Sequence, residues 1–114
     1  MKNLILLLLL IMSSLPVFSQ NKEYAGDKFG YMEYRLTSDD GRLLESGTYW
    51  EGKKDGWWYS YHPNGTISAK AYFSNGKRGG TWKFYNDRGV LLAEVTYKNN
   101  RRVSAVLHKK FVNS

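Results

Sequence analysis

Apolar and polar positions alternate one by one over much of this chain. Ile67, Ala69, Ala71 and Phe73 occupy every second place, with Ser68, Lys70 and Tyr72 between them. The pattern returns at Leu91, Ala93, Val95 and Tyr97, separated by Leu92, Glu94 and Thr96. A period of two places each set on one face of an extended strand. No useful length has helical spacing, and the turn signals leave no room for a helix of about ten residues. The pattern predicts strands throughout.

The strands belong to a unit that recurs every 24 residues. Gly41, Gly65 and Gly89 keep step, as do Tyr49, Phe73 and Tyr97, then Gly52, Gly76 and Asn100. Gly56 falls on Gly80, Trp58 on Trp82 and Tyr61 on Tyr85. Lys53, Lys77 and Arg101 are in register, and so are Lys54, Arg78 and Arg102. Self-similarity at a fixed period of this size implies stacked copies of one supersecondary unit.

Turn chemistry divides the units. His62-Pro63-Asn64-Gly65 presets the first corner of a type I turn and ends on a glycine for the left-handed position, the recipe for a tight hairpin with a Gly bulge. Asn86-Asp87-Arg88-Gly89 and Ser38-Asp39-Asp40-Gly41 stand at the equivalent places. A second turn closes each unit, at Ser74-Asn75-Gly76-Lys77 and Lys98-Asn99-Asn100-Arg101. The expected units are 31–52, 53–76 and 77–100, with a terminal strand over 103–111 whose basic end discourages further pairing. Residues 20–30 are polar and read as a flexible lead-in. The predicted fold is all-β: a single-layer antiparallel β-meander built from 24-residue β-hairpin repeats. With only the Gly bulge counted, Tyr61 faces Ile67, Tyr59 lies beside Ala69 and Trp57 beside Ala71, while Trp58 falls on the other face with Lys70. Trp82 and Phe84 share that second face.

The first 19 residues carry a different pattern. Lys2 precedes an apolar run from Leu4 to Met12, and a small, polar stretch follows, with Val17 and Ser19 before Gln20. That layout is a secretory signal peptide, and the run is short of the ~20 residues a membrane span needs. An uncleaved anchor is the alternative. The expected location is the periplasm, the cell envelope or the exterior. There is no cysteine, so neither disulfides nor a lipidated thiol enter the picture. Taking Lys2 away with the leader leaves 16 of the 17 basic residues against 10 acids, a formal charge of +6. A basic balance favours anionic partners. It also keeps turns solvated and sheet edges unsticky. Nucleic acid is excluded as a partner by export and by the lack of a nucleic-acid-binding motif.

The unit G-K-x-x-G-x-W-x-x-Y-x-x-x-G, then an alternating strand, then x-N-G-K, resembles the MORN repeat in its variant form. Gly52, Lys53, Gly56, Trp58, Tyr61 and Gly65 carry it once; Gly76, Lys77, Gly80, Trp82, Tyr85 and Gly89 carry it again. The resemblance extends over about residues 31–102, with Tyr34 where Trp is expected and Thr37 in place of the later Tyr. It implies an interaction or scaffold module, in some cases membrane-linked. It also implies kinship with bacterial proteins grouped as antitoxins or immunity proteins, a role that export restricts to toxins acting outside the cytoplasm.

Candidate chemistry is sparse. A metal site needs three or four converging ligands, and the chain offers only His62 in a turn and His108 in the terminal strand, both read as solvated surface residues. Asp39 and Asp40 read as turn formers, and Ser60, Ser68 and Ser74 have no base beside them. No catalytic residue, cofactor, metal or small-molecule substrate is expected. The aromatics are the richer set. Their ordinary role is cross-strand packing; as a recognition surface they would present wide, rigid contact area. The candidate partner-binding residues are Trp58, Trp82, Tyr61, Tyr85 and Phe84, with Lys54, Arg78 and Arg102 as a basic edge. The expected function is a non-catalytic exported module that binds another protein, as a scaffold or an immunity-like binder. The runner-up is binding to an envelope glycan or an anionic lipid surface.

Overall fold

The computed structural model describes residues 20–26 and 30–108. The leader at 1–19 and the last part of the expected terminal strand, 109–111, lie outside the described residues. Among the described residues there are nine strands and no helix: β1 Gln20–Gly26, β2 Tyr31–Ser38, β3 Leu43–Trp50, β4 Lys53–Lys54, β5 Gly56–Tyr61, β6 Ile67–Ser74, β7 Lys77–Tyr85, β8 Leu91–Lys98 and β9 Arg101–Leu107. They form one open sheet in the order β1-β2-β3-β5-β6-β7-β8-β9, with β4 paired to β3. Every pair is antiparallel. This is the expected single-layer β-meander of hairpin repeats.

Both turn types behave as their residues dictate. At the Gly-bulge turns, His62 N–H donates to Thr66 O at 2.8 Å and Gly65 N–H to His62 O at 2.9 Å; the same pair of bonds closes the turns at Asn86 and Ser38. At the other end, Glu51 and Gly52, Asn75 and Gly76, and Asn99 and Asn100 all have positive φ. Two consecutive left-handed residues make the type I′ turn that matches strand twist. Neighbouring turns are tied together. Gly76 N–H donates to Lys54 O at 2.8 Å, and Asn100 N–H to Arg78 O at 2.9 Å.

Two expectations are corrected. The supposed flexible lead-in contains β1, paired along its whole length with β2 from Gln20↔Ser38 to Gly26↔Met32. A polar sequence supplies backbone hydrogen bonds as well as an apolar one does, and Tyr24 packs its ring 5.2 Å from Tyr34. The second correction concerns register. Tyr61 does face Ile67, but a bulge follows, so that Ser60 faces Ala69, Tyr59 faces Lys70, Trp58 faces Ala71 and Trp57 faces Tyr72. Ser68 is the extra residue. Leu44 and Leu92 are the extra residues at the equivalent places of the other hairpins. One inserted residue sends everything beyond it to the opposite face. Trp58 therefore joins Ala69, Ala71 and Phe73, while Ile67 leaves them.

A second irregularity, larger, lies between hairpins. Asp55 N–H bonds to Thr48 O at 2.9 Å, and pairing resumes at Ser46↔Tyr59. Gly56, Trp57 and Trp58 thus stand opposite Gly47 alone. One unit later Tyr72↔Gly79 and Lys70↔Lys83 leave Gly80, Thr81 and Trp82 opposite Ala71 alone. Each bulge opens on a glycine in the left-handed region, φ 86° at Gly56 and 67° at Gly80, where a side chain is costly. Each ends on a tryptophan. The Trp58 indole Nε1–H donates to Thr48 O at 3.1 Å, and Trp82 Nε1–H to Tyr72 O at 3.2 Å. The Trp58 ring lies over Gly47, the lone residue opposite, and is only 3% exposed.

Gly47 is where this packing is tightest. A Cβ there would overlap Trp58 Cδ2 and Cε2. Its φ is not in the left-handed region, so strand propensity alone would have Gly47→Ala stabilise by roughly 0.5–1 kcal/mol. Overpacking against a buried, hydrogen-bonded indole opposes that gain. We expect net destabilisation of about 1–3 kcal/mol by urea unfolding, accompanied by a red shift of tryptophan emission. A more stable variant would show that the ring is not fixed there.

Candidate functional site

The residues that recur with the repeat converge on one face as a file of rings. Tyr24 lies 5.2 Å from Tyr34, Tyr34 is 5.5 Å from Trp58, Trp58 is 6.5 Å from Phe73, Phe73 is 5.2 Å from Trp82, and Trp82 is 4.7 Å from Tyr97. Tyr49 fills the angle between Tyr34 and Trp58, at 5.7 and 5.0 Å. The file places a ring on every strand from β1 to β8 except the short β4, in tilted or edge-on geometries that suit ring quadrupoles. Tyr34 and Trp58 are the buried hydrophobic residues among those described. Burial, reinforced by the Glu45 carboxylate, raises the Tyr34 hydroxyl above its ordinary pKa and keeps it neutral.

The basic residues of the repeat lie over this file. Lys54 Nζ sits 4.5 Å from the centre of the Trp58 ring and 5.1 Å from that of Phe73, and 3.7 Å from Glu45 Oε1. Arg78, one unit on, stands 4.8 Å over Tyr97. Its Nε–H donates to Asn100 Oδ1 at 2.7 Å and its Nη2–H to Asn100 O at 3.0 Å. Arg102 pairs across from Tyr97 and is exposed. The cations expected as an edge beside the rings are thus partly spent on the rings themselves, as cation–π lids worth roughly 0.5–1 kcal/mol each at exposed sites.

The candidate set does not assemble as one surface. Trp58, Trp82, Phe84, Lys54, Arg78 and Arg102 share the ring-file face, with Phe84 opposite Ala69 and Ala93. Tyr61 and Tyr85 are on the other face, across from Ile67 and Leu91. Tyr61 Oη lies 3.2 Å from Ser46 Oγ, a link between hairpins. Trp58, expected on a recognition surface, is internal: at 3% exposed it offers a partner almost no area. The expected register put it beside Lys70 in the open; the bulge at Ser68 turns it in.

The histidines are also structural. His62 Nε2–H donates to Tyr85 O at 2.9 Å, joining two turns, and His108 Nε2 lies 3.4 Å from Glu94 Oε2. Both are half-buried, where the sequence had them solvated. Among the described residues no three His, Asp, Glu or Cys gather as metal ligands. An open groove of about 530 Å³ runs beside the first Gly-bulge turn and contains Asp39 and Asp40. Asp40 accepts from Arg42 Nε–H at 2.7 Å and from the Ser38 hydroxyl, and these bonds lower its pKa to about 2. An acid held ionised in this way cannot donate a proton at neutral pH. It serves the turn.

The surface that sequence reasoning missed is opposite the ring file. There Trp57 pairs with Tyr72 at 5.2 Å in a T-shaped contact and remains 49% exposed. Lys70 and Lys83 face each other beside this pair. A signal was present. Trp58 recurs as Trp82, but Trp57 is replaced by Thr81 one unit on. Recurrence marked the residue the fold needs, and its absence marked the one the fold leaves free.

A family model described as the MORN repeat variant matches residues 54–75 and 78–99. The chain carries repeats of the MORN-variant family. No curated protein and no solved structure matches it. The two matched MORN-variant units coincide with the β4–β6 and β7–β8 segments that hold the G-x-W bulges. The β2–β3 hairpin, with Tyr34 in place of Trp, packs into the same ring file outside the matched segments. MORN repeats are in general non-enzymatic modules that commonly mediate protein or membrane-lipid interactions.

The Asp40 bonds predict a pH dependence. The folded pKa lies below the ordinary aspartate value of about 3.9, so the contribution is fully present above roughly pH 4 and is lost as pH falls through about 2. Asp40→Asn should melt lower than the parent at pH 6, and the two melting curves should converge as the pH approaches 2. Parallel curves over that range would remove the Asp40–Arg42 pair as a contributor.

Proposed function

We propose that the chain is a non-catalytic, exported repeat module that binds another protein. Export rests on the leader pattern of the first 19 residues, and the absence of chemistry on the sparse, turn-bound acids and histidines. The observation that carries the binding reading is Trp57. About half of its indole is left in water, which forgoes on the order of 2–3 kcal/mol of burial. The fold does not need a ring there, since Thr81 fills the same place in the next unit. A half-exposed tryptophan braced edge-on by Tyr72 is the kind of anchor that dominates protein interfaces. The Trp82, Phe84 and Arg102 end of the ring-file face, half-buried to exposed, extends the available surface. The antitoxin-like role implied by family resemblance is the special case in which the bound protein is an exported effector.

The formal charge of +6 without the leader favours a second reading, an anionic envelope surface, which salt would weaken. The test is affinity capture from native envelope extract with the parent chain and Trp57→Ala. Trp57→Ala should still fold, with a melting temperature lowered by loss of the half-buried ring and its Tyr72 contact, and should lose at least one protein that the parent retains. Equal recovery of every protein by both chains would overturn the protein-binding reading. Salt-sensitive sedimentation with anionic vesicles and no captured protein would replace it with the second.

A further inference from the structure

On the face opposite the ring file, Lys70 on β6 and Lys83 on β7 are directly opposed. Opposed residues of an antiparallel pair have Cβ atoms about 4.5–5.5 Å apart, and like charges so placed repel. Relief within the fold is partial. On β5 the neighbours on this face are Trp57 and Tyr59, both uncharged. On β8 the residue across from Lys83 is Glu94. Its carboxylate is turned to His108, with Oε2 3.4 Å from Nε2. Thr81 and Thr96, on the same face, bond to each other at 3.0 Å. Neither lysine ammonium makes an ion pair or hydrogen bond with a described residue. Both side chains are nevertheless half-buried, their stems lying along the sheet. By contrast, two cations of the ring-file face, Lys54 and Arg78, are matched to Glu45, Asn100 and rings.

We propose that Lys70 and Lys83, with Trp57 and Tyr72 beside them, form a subsite for paired carboxylates on an acidic, extended segment of the partner protein. The inference rests on the protein-binding reading above and names the chemistry of its partner. Two cations at cross-strand spacing, neither in a close ion pair with a described residue, present the charge that such a segment lacks. Side chains at alternate positions of an extended segment point the same way about 7 Å apart, within reach of two lysine stems. The adjoining Trp57 and Tyr72 rings meet at 62°. They offer an apolar notch for an aliphatic side chain; a flat shelf for sugar stacking would need them coplanar.

The probe is octaglutamate, with octaglutamine as the neutral control and phosphatidylglycerol vesicles as the lipid arm, titrated into the purified chain. Octaglutamate should shift the backbone amide resonances of Lys70 and Lys83 and the indole N–H of Trp57. Lys70→Gln/Lys83→Gln should weaken its binding about tenfold, while Arg101→Gln/Arg102→Gln should leave it within about twofold. Lys70→Glu gives a second readout: its cross-strand neighbours are Lys83 and the uncharged Tyr59, so an attraction replaces the repulsion, and the melting temperature should rise while octaglutamate binding is lost. Unchanged affinity in Lys70→Gln/Lys83→Gln, shifts centred on β9, or vesicles bound in preference to the peptide would each overturn the proposal. A captured protein sensitive to Trp57→Ala but not to Lys70→Gln/Lys83→Gln would sink this inference alone. Octaglutamate binding at the subsite, with no captured protein in the envelope experiment, would sink the protein-binding reading and leave the anion site standing.

Discussion

The bond from the Trp58 indole N–H to the Thr48 carbonyl, repeated from Trp82 to Tyr72, is the interaction on which the architecture depends. A single-layer sheet has no second layer to pack against. Each hairpin is held to the next by backbone pairing, which water can replace at modest net cost. The indole changes that balance. It reaches back over the neighbouring hairpin and satisfies its own donor, and at Trp58 it covers Gly47. It thereby makes the junction between hairpins an apolar contact as well as a ladder. Two-stranded ribbons are marginal alone. Here stability is carried by the junctions, as expected of a repeat array.

That role explains the otherwise odd G-x-W bulge. Three residues against one would be a defect in a regular sheet. Here the extra length carries the tryptophan out and back over its neighbour. Glycine must open the bulge because the chain turns through positive φ there. The residue opposite must be small because the ring occupies its side-chain space. Three sequence requirements, at 56, 58 and 47, are therefore one geometric requirement. Gly80 and Trp82 recur one unit later, with the small residue Ala71 opposite.

Period, strand content and both turn types were legible in the sequence, since each depends on local chemistry: alternation, Asn-Gly pairs and a fixed repeat. The faces were not. Ser68, Leu44 and Leu92 each add one residue without any composition that announces a bulge, and one residue is enough to exchange the sides. Trp58 consequently changed from a recognition residue to a strut. β1 was hidden for a related reason. Gln20 to Gly26 is paired through its backbone, and its one informative side chain, Tyr24, has meaning only beside Tyr34.

Function in such an array is to be sought where the repeat breaks its own rule. A position that returns unchanged every 24 residues is under the constraint of packing against its own copy. Lys54 and Arg78 answer that constraint, each over a ring of the file. Positions 57 and 70 do not: they become Thr81 and Glu94 one unit later. Had position 70 kept the acid of position 94, it would have stood opposite Lys83 as a favourable cross-strand pair. The chain instead sets two lysines against each other beside its most exposed tryptophan. A sheet stabilised mainly by its ring file can tolerate that local repulsion, because the two faces are energetically separate. The ring-file face carries most of the aromatic packing between hairpins, and the other is freer to vary.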